Sequence, residues 1–272
     1  MQSRFVAVGD RRLHARVAGD GAATVVFEAG LGMSGVYWGL VAPVIAQHAR
    51  TVVYDRAGIA ASDDGPRPRT LDRLADDLGA LLDSFSGPFV LVGHSYGGPI
   101  VRLAASRRPD VHALVLVDPS DERFDEFFTP GTARRMAVAG PVTRILAATG
   151  VYRMAARMGS ALPADQFARF RTENFGRRAA RALHDEVRHF MPGLAALRSS
   201  PPDLGDRPLT IVSTGATDGT APGLRAAHAA SAAATPNGRH VVAEGSGHNV
   251  MLDRPDLLIT EILAALPGPR TP

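Results

Sequence analysis

Four short runs constrain this chain more than any other feature. They are residues 24–28 (TVVFE), 51–54 (TVVY), 89–92 (FVLV) and 113–117 (ALVLV). Each is β-branched or otherwise apolar, and none alternates with polar residues. That pattern fits strands buried on both faces of a parallel sheet. Helical periodicity separates them. In residues 70–85, Leu71, Leu74, Leu78, Leu81 and Leu82 share one face behind a possible N-cap, Thr70. Residues 96–107 read as a second helix. Strands alternating with helices argue for a doubly wound α/β sheet. A hairpin is expected ahead of it, from residues 5–8 and 13–17 about a turn at Gly9-Asp10.

The pattern breaks at residues 121–200. Strand-like runs vanish, helix formers dominate, and 13 Arg face 8 Asp and Glu. This block reads as a helical insertion in one core domain made of residues 1–120 and 201–272. After it, residues 209–213 (LTIVS) and 240–243 (HVVA) read as strands. Residues 223–234 and 255–266 read as helices, and the tail 267–272 is expected to fray.

Composition removes whole classes of chemistry. With no Cys there are no disulfides, thiolate nucleophiles or Cys-based metal sites. All 30 basic residues are Arg, so Schiff-base catalysis and a P-loop lysine are excluded. A net charge of +3 makes no electrostatic case for nucleic acid. No apolar run is long enough to cross a bilayer, and the first residues lack the apolar stretch of a secretory signal. The expectation is a soluble, cytoplasmic protein that does not use a membrane.

The chemistry-bearing stretch is Gly93-His94-Ser95-Tyr96-Gly97-Gly98, between a strand and a helix. In a G-x-S-x-G turn the Ser sits on strained backbone, its hydroxyl lifted above the sheet, with glycines where a Cβ would clash. The helix behind it presents N–H groups to an oxyanion. The hydroxyl needs a base. His248, in the loop Gly245-Ser246-Gly247-His248-Asn249 after the last strand, is the candidate, whereas His94 is expected to point away into supporting contacts. The base needs a carboxylate in turn. Asp218, after the strand LTIVS, is preferred because it gives the order Ser, acid, His; Asp118, after ALVLV, is the alternative. Tyr96 N–H is the first oxyanion donor, and Leu31 N–H, in the loop Glu28-Ala29-Gly30-Leu31-Gly32, is the second.

These segments together resemble the α/β-hydrolases: GHSYGG, EAGLG, YDRAGIAASD, LVLVDP, GATD and GSGHNV span nearly the whole chain. The resemblance implies a mostly parallel eight-stranded sheet and a helical cap, residues 121–200, inserted after the sixth strand. It also implies hydrolysis with no cofactor or metal, most often of carboxylic esters, lactones or thioesters. Two features depart from the pattern. Glu28 and Ala29 precede Gly30 where many relatives have His-Gly, and Ala60 stands where many have a second Gly. Dehalogenases and epoxide hydrolases of this fold use an Asp nucleophile, but here the position holds Ser95.

The expected reaction is two-step acyl transfer through Ser95 on a small to medium apolar ester. Trp38, Phe127, Phe128, Met136 and Met154 are the candidate substrate-binding residues. The alternatives are a thioesterase acting on coenzyme A or acyl-carrier-protein thioesters, a cofactor-free perhydrolase or carbon–carbon hydrolase, and a ligand-binding receptor on a hydrolase fold. The Arg excess of the insertion would attract a carboxylate-bearing substrate, and in the thioesterase alternative it would suit an acidic carrier protein.

Overall fold

The computed structural model describes residues 1–268, so the end of the tail expected to fray lies outside the described residues. One eight-stranded sheet runs through the molecule in the order β1-β2-β4-β3-β5-β6-β7-β8. Its strands are β1 (Gln2–Val8), β2 (Arg11–Ala18), β3 (Thr24–Glu28), β4 (Arg50–Tyr54), β5 (Phe89–His94), β6 (Val111–Val117), β7 (Leu209–Thr214) and β8 (Gly238–Ala243). The β1–β2 and β2–β4 pairings are antiparallel, and the five pairings from β4 to β8 are parallel. The hairpin strands run longer than the sequence suggested. Most of their extra residues, Gln2, Ser3, Arg4, Arg11 and Arg12, are polar, so apolar runs alone under-read them.

Every residue of β3, β5 and β7 is buried, as the absence of polar alternation requires. The core helices are α1 (Ala42–Ile45), α2 (Leu71–Leu82) and α3 (Gly97–Ser106), followed after the insertion by α7 (Ala221–Ala233), α8 (Val250–Asp253) and α9 (Pro255–Ala264). Helix α2 starts where Thr70 accepts a hydrogen bond from Arg73 N–H, and its leucines are buried. The chain between β6 and β7 is helical: α4 (Pro130–Thr149), α5 (Ala164–Asn174) and α6 (Arg177–Ser199), with 3-10 segments Asp125–Phe128 and Val151–Gly159. None of the described helices is long and apolar enough to cross a membrane.

Parallel register decides where chemistry can gather. Glu28 pairs with Gly93, and Gly93 with Leu116, so β3, β5 and β6 end level with one another. The residues just past those ends share one edge of the sheet, where loops carry function in open α/β folds.

Among the described residues, three other than glycine have a left-handed backbone: Ala60 (φ 46), Ser95 (φ 52) and Asp118 (φ 42). Ser95 and Asp118 lie on this edge. Ala60 sits in the turn after β4, where the conformation costs an alanine about 1–2 kcal/mol. Replacing it by Gly relieves that strain, and the greater freedom of an unfolded glycine offsets part of the gain. Ala60→Gly is expected to stabilise the fold by about 0.5–1 kcal/mol, seen as a higher urea midpoint at an unchanged slope. A lower midpoint would contradict the strain.

Candidate active site

The turn between β5 and α3 is fixed by close approach. A Cβ on Gly93 would come within 2.6 Å of Gly97 O, and one on Gly97 within 2.8 Å of the carbonyl oxygens of Glu28 and Ala29. Only glycine fits at either position, so the backbone folds sharply and holds Ser95 left-handed. Ser95 N–H donates to Val117 O at 3.0 Å, and Ser95 O accepts from Ser120 N–H at 2.9 Å. These bonds tie the turn to the segment that follows β6.

That segment carries Asp118. Its Oδ2 accepts from His248 Nδ1 at 2.6 Å and its Oδ1 from Thr214 N–H at 3.0 Å. Burial alone would raise this carboxyl, but the hydrogen bond and charge of His248 and the bond from Thr214 outweigh it and hold it below the ordinary range. An ionised carboxylate only accepts, so His248 Nδ1 supplies the hydrogen of this bond.

The structure thus brings to His248 the alternative acid of the sequence reading, Asp118, and not the preferred Asp218. Asp118 directly follows β6, beside Ser95 after the neighbouring β5. Asp218 lies four residues beyond β7, in an exposed turn where its carbonyl accepts from Ala221 N–H as α7 begins. Chain order fits both residues, and the level strand ends distinguish them.

Supporting contacts close around this pair. His94 Nε2–H donates to His248 O at 2.9 Å, and its Nδ1 accepts from the Tyr37 hydroxyl at 3.1 Å. Tyr37 Oη accepts from Gly30 N–H at 2.6 Å. One chain of bonds thus links the loop after β3, the Ser95 turn and the His248 loop. Burial, and the neighbouring His248, push His94 down to about 3, so it stays neutral. Behind Asp118, His228 Nε2–H donates to Pro119 O at 2.7 Å, and burial lowers its pKa too.

In the loop after β3, Gly30 N–H is taken by Tyr37, Gly32 N–H donates to Glu186 Oε2 at 2.7 Å, and Met33 N–H donates to Gly30 O. Among the described residues, the N–H groups of Leu31 and Tyr96 have no such partner. Glu186 comes from α6 and also accepts from Arg56 and Arg69. Arg56 donates to the carbonyl oxygens of Ala29 and Gly30, at 2.7 Å each, and to Glu28. Burial alone would raise Glu186, but the two guanidinium groups hold it at about 2. Sequence reasoning missed this network because its members are distant in the chain. The one signal was Glu28, a lone charge at the end of an apolar strand; Arg56, Arg69 and Glu186 sit among other charged residues.

Ser95, Asp118 and His248 line a cavity of ≈ 570 Å³ with Leu31, Phe127, Met136, Phe190 and Leu224. Asp218 lines its wall without reaching His248. Of the expected substrate-binding residues, Phe127 and Met136 lie there. Trp38 does not: it is fully buried against Phe27, Tyr37 and His94. Phe128 lies beneath Arg198, and Met154 is 63% exposed. Phe190 and Leu224 were missed, each an ordinary apolar residue of a helix until the fold places it. No group of three or more His, Asp or Glu side chains among the described residues is arranged to hold a metal ion.

Comparison with known proteins gives a match to the family model described as Alpha/beta hydrolase family over residues 25–261. A lipase of Mycobacterium tuberculosis is 51% identical over 55 residues, which cover 20% of this chain and 21% of the lipase. A strigolactone esterase of Arabidopsis thaliana is 33% identical over 117 residues, 41% of this chain and 44% of the esterase. The chain thus spans less than half the length of these relatives. An epoxide hydrolase structure from Acinetobacter nosocomialis superposes with a TM-score of 0.80 at 13% identity, over 97% of this chain and 88% of that one, a likeness of fold alone.

Neutral, buried histidines set an acid limit on stability. An unfolded chain protonates residue 94 near pH 6.5, whereas the native site resists until about pH 3. Stability is therefore full above about pH 6.5 and drains as pH falls towards 3. His94→Gln is expected to flatten this slope between pH 6.5 and 4 in urea titrations, and an unchanged slope would contradict the assignment.

Proposed function

The chain belongs to the alpha/beta hydrolase family, and from that premise we propose that it is a serine hydrolase cleaving small to medium apolar carboxylic esters or lactones through an acyl-enzyme. The observation that carries this reading is the 2.6 Å bond from His248 Nδ1 to Asp118 beside a strained Ser95 in one cavity. Asp118 fixes the imidazole tautomer, leaving Nε2 free to take the Ser95 proton as Oγ attacks the carbonyl. No Ser95–His248 hydrogen bond is formed among the described residues, and in unliganded sites of this type that contact commonly tightens only with substrate.

The free N–H groups of Leu31 and Tyr96 receive the oxyanion, and each such donor is worth about 10²–10³ in rate. The His248 imidazolium then protonates the leaving group. A water deprotonated by the same nitrogen cleaves the acyl-enzyme, regenerating Ser95 and releasing the acid. A cavity of ≈ 570 Å³ with Phe127, Met136, Phe190 and Leu224 in its wall suits a small or medium apolar substrate. The epoxide-hydrolase likeness is not carried into the chemistry, because the nucleophile position here holds a serine.

Hydrolysis of p-nitrophenyl butyrate tests the reading. Ser95→Ala is expected to fold and to lose activity by several orders of magnitude, and near-normal turnover in that variant would refute the nucleophile. Asp118→Asn is expected to lower kcat by about 10³–10⁴ through the wrong tautomer, while Asp218→Asn stays close to wild type. The reverse ranking would return the acid to position 218.

A further inference from the structure

The cavity at Ser95 does not stop at Met136. A second trough of ≈ 500 Å³ follows the seam between α4 and α6, walled by Met136, Ala137, Gly140, Val187 and Met191. Beyond it lies a third hollow of ≈ 780 Å³ lined by five arginines (Arg67, Arg144, Arg177, Arg181 and Arg188) and one carboxylate, Asp185. The three are neighbours: Met136 lines the first and second, and His184 and Arg188 line the second and third.

The third hollow is built for an anion. Arg177, Arg181, His184 and Arg188 are spaced by four, three and four residues, which puts them in one row along α6, and Arg144 joins them from α4. Arg67 is paired with Asp185 at 2.7 Å. Among the described residues, Arg144, Arg177, Arg181 and Arg188 form no ion pair with a carboxylate. Like charges one helical turn apart repel, and the stretch 130–164 supplies no acidic residue to offset them. At the junction of the apolar and charged hollows, His184 Nδ1 is buried without a hydrogen-bond partner. That nitrogen packs against Gly140 of the trough wall.

The helix provides a ruler. Phe190 lines the catalytic cavity, while Arg181 and Arg177 lie nine and thirteen residues back along α6. At the helical rise, those distances are about 14 and 20 Å. A ligand satisfying both ends has its carbonyl at Ser95, an apolar or amide arm along the methionine trough, and a multiply charged terminus among guanidinium groups that bind phosphate bidentately.

Resting on the acyl-transfer reading of Ser95, we propose that the α4–α6 trough is a leaving-group subsite for a phosphorylated thiol, and that thioesters of the coenzyme A type are a further substrate class of the same serine. The Ser95 Oγ–carbon bond forms as the carbon–sulfur bond breaks, and the departing thiolate takes the proton held by His248. Water then releases the carboxylic acid. The charges line the inside of a concavity, which favours a small phosphorylated carrier over the flat face of a protein.

The test compares butyryl-coenzyme A with S-butyryl pantetheine, the same thioester without phosphates, with p-nitrophenyl butyrate as the internal reference in each variant. Wild type is expected to prefer the coenzyme A thioester by roughly tenfold or more in kcat/KM at low salt, a preference that shrinks with ionic strength. Arg181→Glu with Arg188→Glu is expected to abolish the preference through KM, and Arg181→Lys with Arg188→Lys to keep part of it. Calorimetric titration of coenzyme A onto Ser95→Ala reads the subsite without turnover, with binding expected and lost in the double-Glu variant. Equal kcat/KM for the two thioesters in wild type, a preference surviving the double-Glu change, or faster hydrolysis of a butyryl acyl carrier protein would each overturn the proposal. If all three butyryl compounds are inert while coenzyme A still binds, the acyl-transfer reading fails and the proposed reaction with it, but the anion site stands.

Discussion

The left-handed backbone at Ser95 is the constraint around which the rest of the site is arranged. An L-residue adopts that conformation only where its surroundings over-determine it. Here the contacts of Gly93 and Gly97 leave no space for side chains, and two backbone hydrogen bonds tie the turn to the segment after β6. The same bonds bring Asp118 alongside, itself left-handed. One strained turn thus sets the position of a second, and both stand at the level ends of adjacent parallel strands.

A buried charge network does comparable work on the other side. Glu186 of α6 reaches Gly32 N–H and two guanidinium groups, while Arg56 holds the carbonyl oxygens of Ala29 and Gly30. The inserted helices are therefore fastened to the loop that carries Leu31 by charges whose separation would leave them buried and unpaired, at about 3–5 kcal/mol. Loop geometry and helix position are held together, so the wall of the cavity and the free N–H of Leu31 are coupled through one carboxylate.

Much of the fold was legible in the sequence because its signals are local. Unalternating apolar runs announced the parallel strands, Thr70 and its leucines announced α2, and glycine spacing announced the turn at Ser95. The site was legible where a residue is fixed by its own segment: Ser95, Leu31 and His248 each follow a strand, and the structure places all three on one cavity. It was not legible where partners are chosen across the chain. Asp118 and Asp218 both precede His248 and both follow strands, and only strand order and register separate them. Trp38 was a pocket candidate yet lies in the core, because aromatic burial has no sequence signature of its facing. Met154 sat among pocket candidates by composition, yet its side chain faces outward. Glu186 and His184 lie two positions apart on α6, one anchoring the loop and the other facing the trough, a division invisible until α6 is docked.

The most direct measurement is covalent labelling of the native protein with a fluorophosphonate, followed by peptide mass analysis. This account predicts a single adduct on Ser95, formed rapidly in wild type and suppressed in His248→Ala. Labelling at another residue, or equal labelling with and without the imidazole, would contradict it.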